Sequence, residues 1–214
     1  MGKYETVIII PAFNEESSLP NILNNLSDFR VVLVDDASTD DTNKIASKFA
    51  NVEILKNHRN LGYENSILRG FRHAISSYSD ECNRLLTIDA DGELPVDQVA
   101  DFVAASRKYN IVIGNRSRFN RISESIAGFY SRIVYGIVDP FCGMRLLNIE
   151  TAKKFVESNY AYNLGFGMLK FSRSFNIEVG CVPVNVSKRL DRSRFGHGFR
   201  ANYQLLKAII NDIR

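Results

Sequence analysis

Residues 31–42 read VVLVDDASTDDT. The four apolar residues 31–34 leave no polar face, so the segment is expected as a strand buried on both sides, at the centre of a parallel sheet. Asp35 to Thr42 then form a polar turn that opens a helix over 43–49. Working outward, the same unit recurs. Residues 6–10 are a strand ended by Pro11, followed by a helix over 19–26 with Ser18 as its N-cap. Residues 52–55 and 64–77 form the next strand and helix, and 85–88 and 96–108 another pair, with a strand at 111–114 closing the regular part. This alternation predicts an α/β domain with a mostly parallel central sheet flanked by helices. Beyond residue 118 the pattern loosens to helices at 125–138 and 149–157, a strand at 178–186 and a helical segment at 201–213. With no internal repeat, low-complexity tract or Gly/Ser linker, residues 1–214 are expected as one domain.

Three of these strands end in acidic or polar loops. Loop one is Pro11-Ala12-Phe13-Asn14-Glu15-Glu16, loop two begins Asp35-Asp36, and loop three is Asp89-Ala90-Asp91-Gly92-Glu93. In an open parallel sheet the carboxyl ends of the strands lie side by side and form the ligand crevice. Carboxylates gathered there repel one another unless a cation or hydrogen-bond donors compensate them. A hard divalent ion with oxygen ligands and a substrate diphosphate meets that need. In Asp89-Ala90-Asp91, alternate residues of an extended segment face opposite sides. One aspartate can then contact a ribose or ion-bound water while the other binds the metal, with Glu93 at the same spacing as a further ligand. The plainer alternative is a turn, where aspartate is common. Asp35 and Asp36 also read as turn and helix N-terminal acids. Asp35, nearer the strand end, better suits a hydrogen bond to a nucleotide base or sugar, and Asp36 is grouped with it.

Composition narrows the classes. The chain has 214 residues, 45% hydrophobic and 24% charged, enough for one α/β domain with a sizeable core. A net charge of +3 is too small to argue for nucleic acid. The three cysteines, Cys82, Cys142 and Cys181, make neither a disulfide framework nor a zinc motif, so a reducing, cytoplasmic setting is expected. No signal-peptide layout and no membrane-spanning apolar stretch are legible. Neither the phosphate-binding Gly-X-X-X-X-Gly-Lys-Ser/Thr loop nor Gly-X-Gly-X-X-Gly occurs, which argues against an ATPase and a nicotinamide enzyme.

The blocks VIIIPAFNEE, VVLVDDASTDDT, NHRNLGYENSILRG and LLTIDADGELP resemble, in order and spacing, those of the family-2 glycosyltransferases of GT-A fold, across residues 5–118. The resemblance implies an inverting, Mg²⁺- or Mn²⁺-dependent transferase. Pro11, Ala12, Asn14, Glu15 and Asp35 would hold the nucleoside of a nucleotide sugar, and Asp89, Ala90 and Asp91 its ribose, diphosphate and metal, with Glu93 at a neighbouring ligand position. IVIGNRSRF, YSRIVYGIVDPFCGMRLLN and VPVNVSKRLDRSRFG are similar to blocks of the dolichyl- and polyprenyl-phosphate sugar transferases. Residues 1–118 would then be the donor part and 119–214 the acceptor part. Arg116, Arg132, Arg145, Arg192 and Arg194 match the positions that hold the acceptor phosphate, and arginine's planar fork suits that task. With Asp91, Arg116 and Arg145 form the catalytic set. The C-terminal basic cluster also reads as a solvated face.

The segment between Arg118 and Asp139 is shorter than in the lipid-phosphate group, and YNLGFGMLKF lacks the acidic residue that often follows Gly-Phe. Asp139 remains as a candidate base, or as a turn residue before Pro140. Tyr130 and Tyr135, at helical spacing with Phe129 and Ile133, read as core. The basic residues and the amphipathic stretch 201–213 suggest peripheral contact with anionic lipid at the cytoplasmic face of a membrane, or a partner that anchors the chain there. Two alternatives stay open: a transferase to a glycan hydroxyl in cell-envelope synthesis, and a non-catalytic nucleotide-sugar-binding subunit.

Overall fold

The computed structural model describes residues 5–117, 122–186 and 209. Its frame is a sheet in the order β3-β2-β1-β4-β6-β5-β7. β1 (Thr6–Ala12) and β2 (Arg30–Asp35) are apolar on both faces and occupy the interior of the sheet. β3 (Val52–Lys56) pairs parallel with β2, and β4 (Arg84–Thr87) parallel with β1. The parallel registers Ala12↔Asp35 and Ile9↔Thr87 bring the carboxyl ends of β1, β2 and β4 to one edge. The acidic loops therefore emerge from one edge, as the alternation requires.

Helices fill the connections: α1 (Leu19–Asn24), α2 (Thr42–Ala46), α3 (Tyr63–Tyr78) and, after a 3₁₀ turn at Val96–Gln98, α4 (Val99–Ala105). α3 lies on β1 and β2 with Ile67, Leu68, Phe71 and Ala74 buried. Gly70 lets it approach closely, because a Cβ there would meet the Ile9 side chain. A larger residue would push the helix off the sheet.

The second part departs from the parallel pattern. β5 (Ile111–Arg116) is followed by α5 (Ile122–Tyr135), and then by β6 (Arg145–Asn148), antiparallel to both β4 and β5. α6 (Ile149–Glu157), α7 (Phe166–Ser174) and β7 (Val179–Val184), parallel to β5, complete the described chain. The alternation of apolar runs predicts neither β6 nor α7. β6 is four residues long and begins with an arginine, so its burial between two strands has no local signature. The expected helix at 201–213 lies outside the described residues, Ile209 excepted.

Candidate active site at the carboxyl edge of the sheet

Loop one and loop two are joined by hydrogen bonds that use their own polar side chains. The Asn14 Oδ1 accepts the Thr39 N–H at 2.7 Å, while the Asn14 N–H donates to Ser38 Oγ at 2.9 Å. Asn14 holds a left-handed backbone, φ 54°, a conformation asparagine tolerates better than most residues. The Glu15 N–H donates to Thr42 Oγ1 at 2.7 Å, and the Glu16 carboxylate accepts the Asp41 N–H at 2.9 Å. Loop one also reaches loop three, because the buried Ser18 hydroxyl donates to the Ala90 carbonyl at 2.6 Å and to the Glu15 carboxylate at 3.1 Å. The three loops thus form one wall. Pro11 and Ala12 end β1 beneath it.

The acidic residues of that wall fall into two kinds. Asp35, 0% exposed, accepts the Ser38 N–H at 2.9 Å and the Asn43 side-chain amide at 3.3 Å. Asp36, 4% exposed, accepts three donors at 2.7–2.8 Å: the Asn57 amide and the backbone N–H groups of Leu61 and Gly62. Grouped with the donor-binding residues from the sequence, Asp36 is turned to the protein's own chain, where it anchors the start of α3. An anion at that end also complements the helix dipole.

Asp89 differs. Its one hydrogen-bond donor among the described residues is the Tyr63 hydroxyl, at 2.9 Å. Gly143 lies flat against its carboxylate, with no room for a Cβ. Burial first, and then the charge of Asp91, push its carboxyl up to about 6, against the pull of the Tyr63 hydroxyl, Arg145 and Arg116. Burial and the charge of Asp89 in turn raise Tyr63 well above the phenol range, so it stays a proton donor. Asp91 accepts the Glu93 N–H at 3.0 Å, the turn hydrogen bond of an aspartate, as the plainer reading foresees. Asp89, Asp91 and Glu93 are all half-buried. Among the described residues no three acidic, histidine or cysteine side chains converge closely enough to hold a metal ion.

The arginines part company. The Arg116 fork grips Asp139, Nε at 2.6 Å and Nη2 at 3.0 Å, with Glu124 at 3.6 Å. Asp139, 1% exposed, is thereby committed to an ion pair that ties the end of β5 to the loop after α5. Arg145 is 2% exposed on β6. Its Nη2 donates to the Pro140 carbonyl at 3.1 Å, and its Nε and Nη1 find no acceptor among the described residues. It attracts the charges of Asp89 and Glu64. Arg132 is exposed on α5, and Arg192 and Arg194 lie outside the described residues.

Sequence reasoning missed Tyr63, Ser18 and Gly143. Tyr63 stands in a block singled out for resemblance, but nothing local says that its hydroxyl meets a loop 26 residues away. The aromatic group on α5 splits. Tyr130 packs edge-on against Phe166, ring centres 5.6 Å apart, whereas Phe129 and Ile133 are each 69% exposed. A cavity of about 570 Å³ lined by Tyr130, Tyr135, Tyr160, Lys170 and Arg173 opens beside them, lined by none of the acidic loops. No helix among the described residues is long and apolar enough to cross a membrane.

The sequence profile of glycosyl transferase family 2 matches residues 7–155. An uncharacterised protein of Methanocaldococcus jannaschii is 32% identical over 69% of this chain and 73% of its own length. Undecaprenyl-phosphate 4-deoxy-4-formamido-L-arabinose transferase of Proteus mirabilis is 31% identical over 52% of this chain, and the match spans only 36% of that relative. Dolichyl-phosphate beta-glucosyltransferase of Dictyostelium discoideum is 24% identical over 95% of this chain and 72% of that one. Among solved structures, glucosyl-3-phosphoglycerate synthase from Mycobacterium tuberculosis, crystallised with Mn²⁺, uridine diphosphate and phosphoglyceric acid, superposes with a TM-score of 0.72. That alignment covers 98% of this chain and 78% of that one at 14% identity, a likeness of fold, here GT-A.

Proposed function

The chain belongs to glycosyl transferase family 2, and from that premise we propose that it moves a hexose from a nucleotide sugar, of GDP-mannose or UDP-glucose type, to a polyprenyl or dolichyl phosphate with inversion. The observation that carries the reading is the Asp89–Asp91 pair at the shared edge of three joined loops. Burial first, and then the charge of Asp91, push the Asp89 carboxyl up to about 6. The charged form of Asp89 is thus disfavoured in the bare site, and a cation bound with a diphosphate supplies the charge that favours it.

The residues fit a divalent ion on that ground. Mg²⁺ or Mn²⁺ would be held by Asp89 and Asp91, with Glu93 nearby, and would neutralise charge on the departing nucleoside diphosphate. The chain's own groups do the rest. Pro11, Ala12, Asn14 and Glu15 form the nucleoside wall next to Asp35. Asp89 meets the ribose or the ion's shell. Arg145, with two nitrogens that find no acceptor among the described residues, adds positive charge beside Asp89. An acceptor phosphate is already anionic at neutral pH, so the burial of Asp139 in its pair with Arg116 is no obstacle: little general-base help is needed.

A lipid acceptor is supported by the names of the arabinose and glucosyl relatives. It is supported also by α5, where Ile126, Phe129 and Ile133 are exposed along one helix with the basic Arg132 among them. Such a face suits the surface of an anionic bilayer. The test is transfer of labelled sugar from GDP-mannose and UDP-glucose, with Mn²⁺, to undecaprenyl and dolichyl phosphate and to free glycans. Label in the lipid phosphate is the expected result, and label confined to glycan hydroxyls would overturn the acceptor assignment. Co-flotation with anionic vesicles checks the membrane contact separately.

A further inference from the structure

Tyr63 has no role in the donor or acceptor sets above, yet it makes the sole hydrogen bond that Asp89 receives among the described residues. Its own placement is fixed from both sides in sequence. Before it, Leu61 and Gly62 give their N–H groups to the buried Asp36, each at 2.8 Å. After it, Glu64 accepts the Leu164 N–H at 3.0 Å. The first turn of α3 is therefore pinned to loop two and to the segment that precedes α7, and the tyrosine between is held against loop three. Gly143 lies against the same carboxylate, where a single Cβ would collide with both of its oxygens. A carboxylate on a one-carbon stem, gripped at one oxygen and backed by a wall, is confined to one orientation.

We propose that Tyr63 is a positioning residue, whose hydroxyl holds the Asp89 carboxylate in the orientation that receives the nucleoside diphosphate of the donor. The proposal rests on the donor site assigned under Proposed function. Loss of a hydrogen bond to a charged group weakens an interaction by roughly tenfold or more, and Tyr63→Phe removes that bond while keeping the ring.

The experiment is calorimetric titration of the purified chain with UDP and with GDP, each with Mn²⁺, beside steady-state kinetics. Tyr63→Phe is expected to weaken the nucleotide that the wild type binds by about tenfold. Donor KM should rise in step and the KM for undecaprenyl phosphate stay unchanged. Gly143→Ala, whose Cβ would intrude on the Asp89 carboxylate, should give a comparable loss. Asn65→Ala, exposed on the same helical turn, should stay within about twofold of wild type. Nucleotide affinity of Tyr63→Phe equal to wild type would overturn the proposal, and so would an equal loss in Asn65→Ala, which would mark a general disturbance of α3. A wild type that binds neither nucleotide overturns the donor site itself, an outcome distinct from both.

Discussion

Two acidic strand ends of this protein look alike in sequence and differ in kind. At the end of β2, Asp35 and Asp36 are buried among donors from their own chain, five hydrogen bonds between them. After β4, Asp89 has one donor among the described residues, and its charge is opposed by Asp91. A carboxylate surrounded by N–H groups is spent on structure. One left short of compensation is available to a cation or a phosphate-bearing ligand, and the folded protein bears the cost of holding it ready. Charge alone does not separate the two; the donors around it do.

The comparison breaks most decisively at Asp91. Asp91→Ala should lower sugar transfer by more than about 10³-fold, on the order of 4 kcal/mol in the barrier, with a melting temperature no lower than that of the wild type. Wild-type turnover in the purified variant removes the metal assignment. Next in size, Asp36→Ala removes the acceptor of three hydrogen bonds, one of them from the buried Asn57, and should destabilise the fold by about 3 kcal/mol in urea unfolding. Were its stability unaltered, the structural reading of the first pair would fail.

Asp89→Asn should act in the opposite direction. A carboxyl raised to about 6 in the fold, from an ordinary value of 3.8, favours the folded state below pH 4 and loses that contribution as pH rises through 6. Removing the charge should therefore stabilise the metal-free protein at pH 7.5 by about 1–2 kcal/mol, and by much less at pH 4. A gain of equal size at both pH values would mean that the buried charge of Asp89 is not its source. The smallest effect belongs to Ser18→Ala, which cuts the tie between loops one and three. It should cost about 1 kcal/mol in stability and raise donor KM a few-fold, read in one kinetic series.

Much of the chain up to residue 117 was legible because its signals are local. Residues 31–34 are apolar on both faces, and a parallel central strand has that composition. The acidic loops follow from strand ends that topology places side by side. The later part was less legible for a reason visible at β6. Arg145 opens a buried strand, and an arginine is tolerated there only because Pro140, Asp89 and Glu64, from three other segments, surround it. On α5, helical spacing alone sets Tyr130 and Phe129 together as core. Packing against Phe166 in α7, a helix absent from the sequence reading, buries one and leaves the other exposed.

The amino-acid sequence by itself determined the strand-and-helix alternation, the carboxylates at the strand ends and, through four blocks in register, the kinship. These depend on periodicity and spacing along the chain. Only the tertiary structure decided how Asp36 and Asp89 differ, because that depends on donors 21 to 26 residues away in the chain. Hydrogen bonds act over about 3 Å of space and are blind to sequence distance.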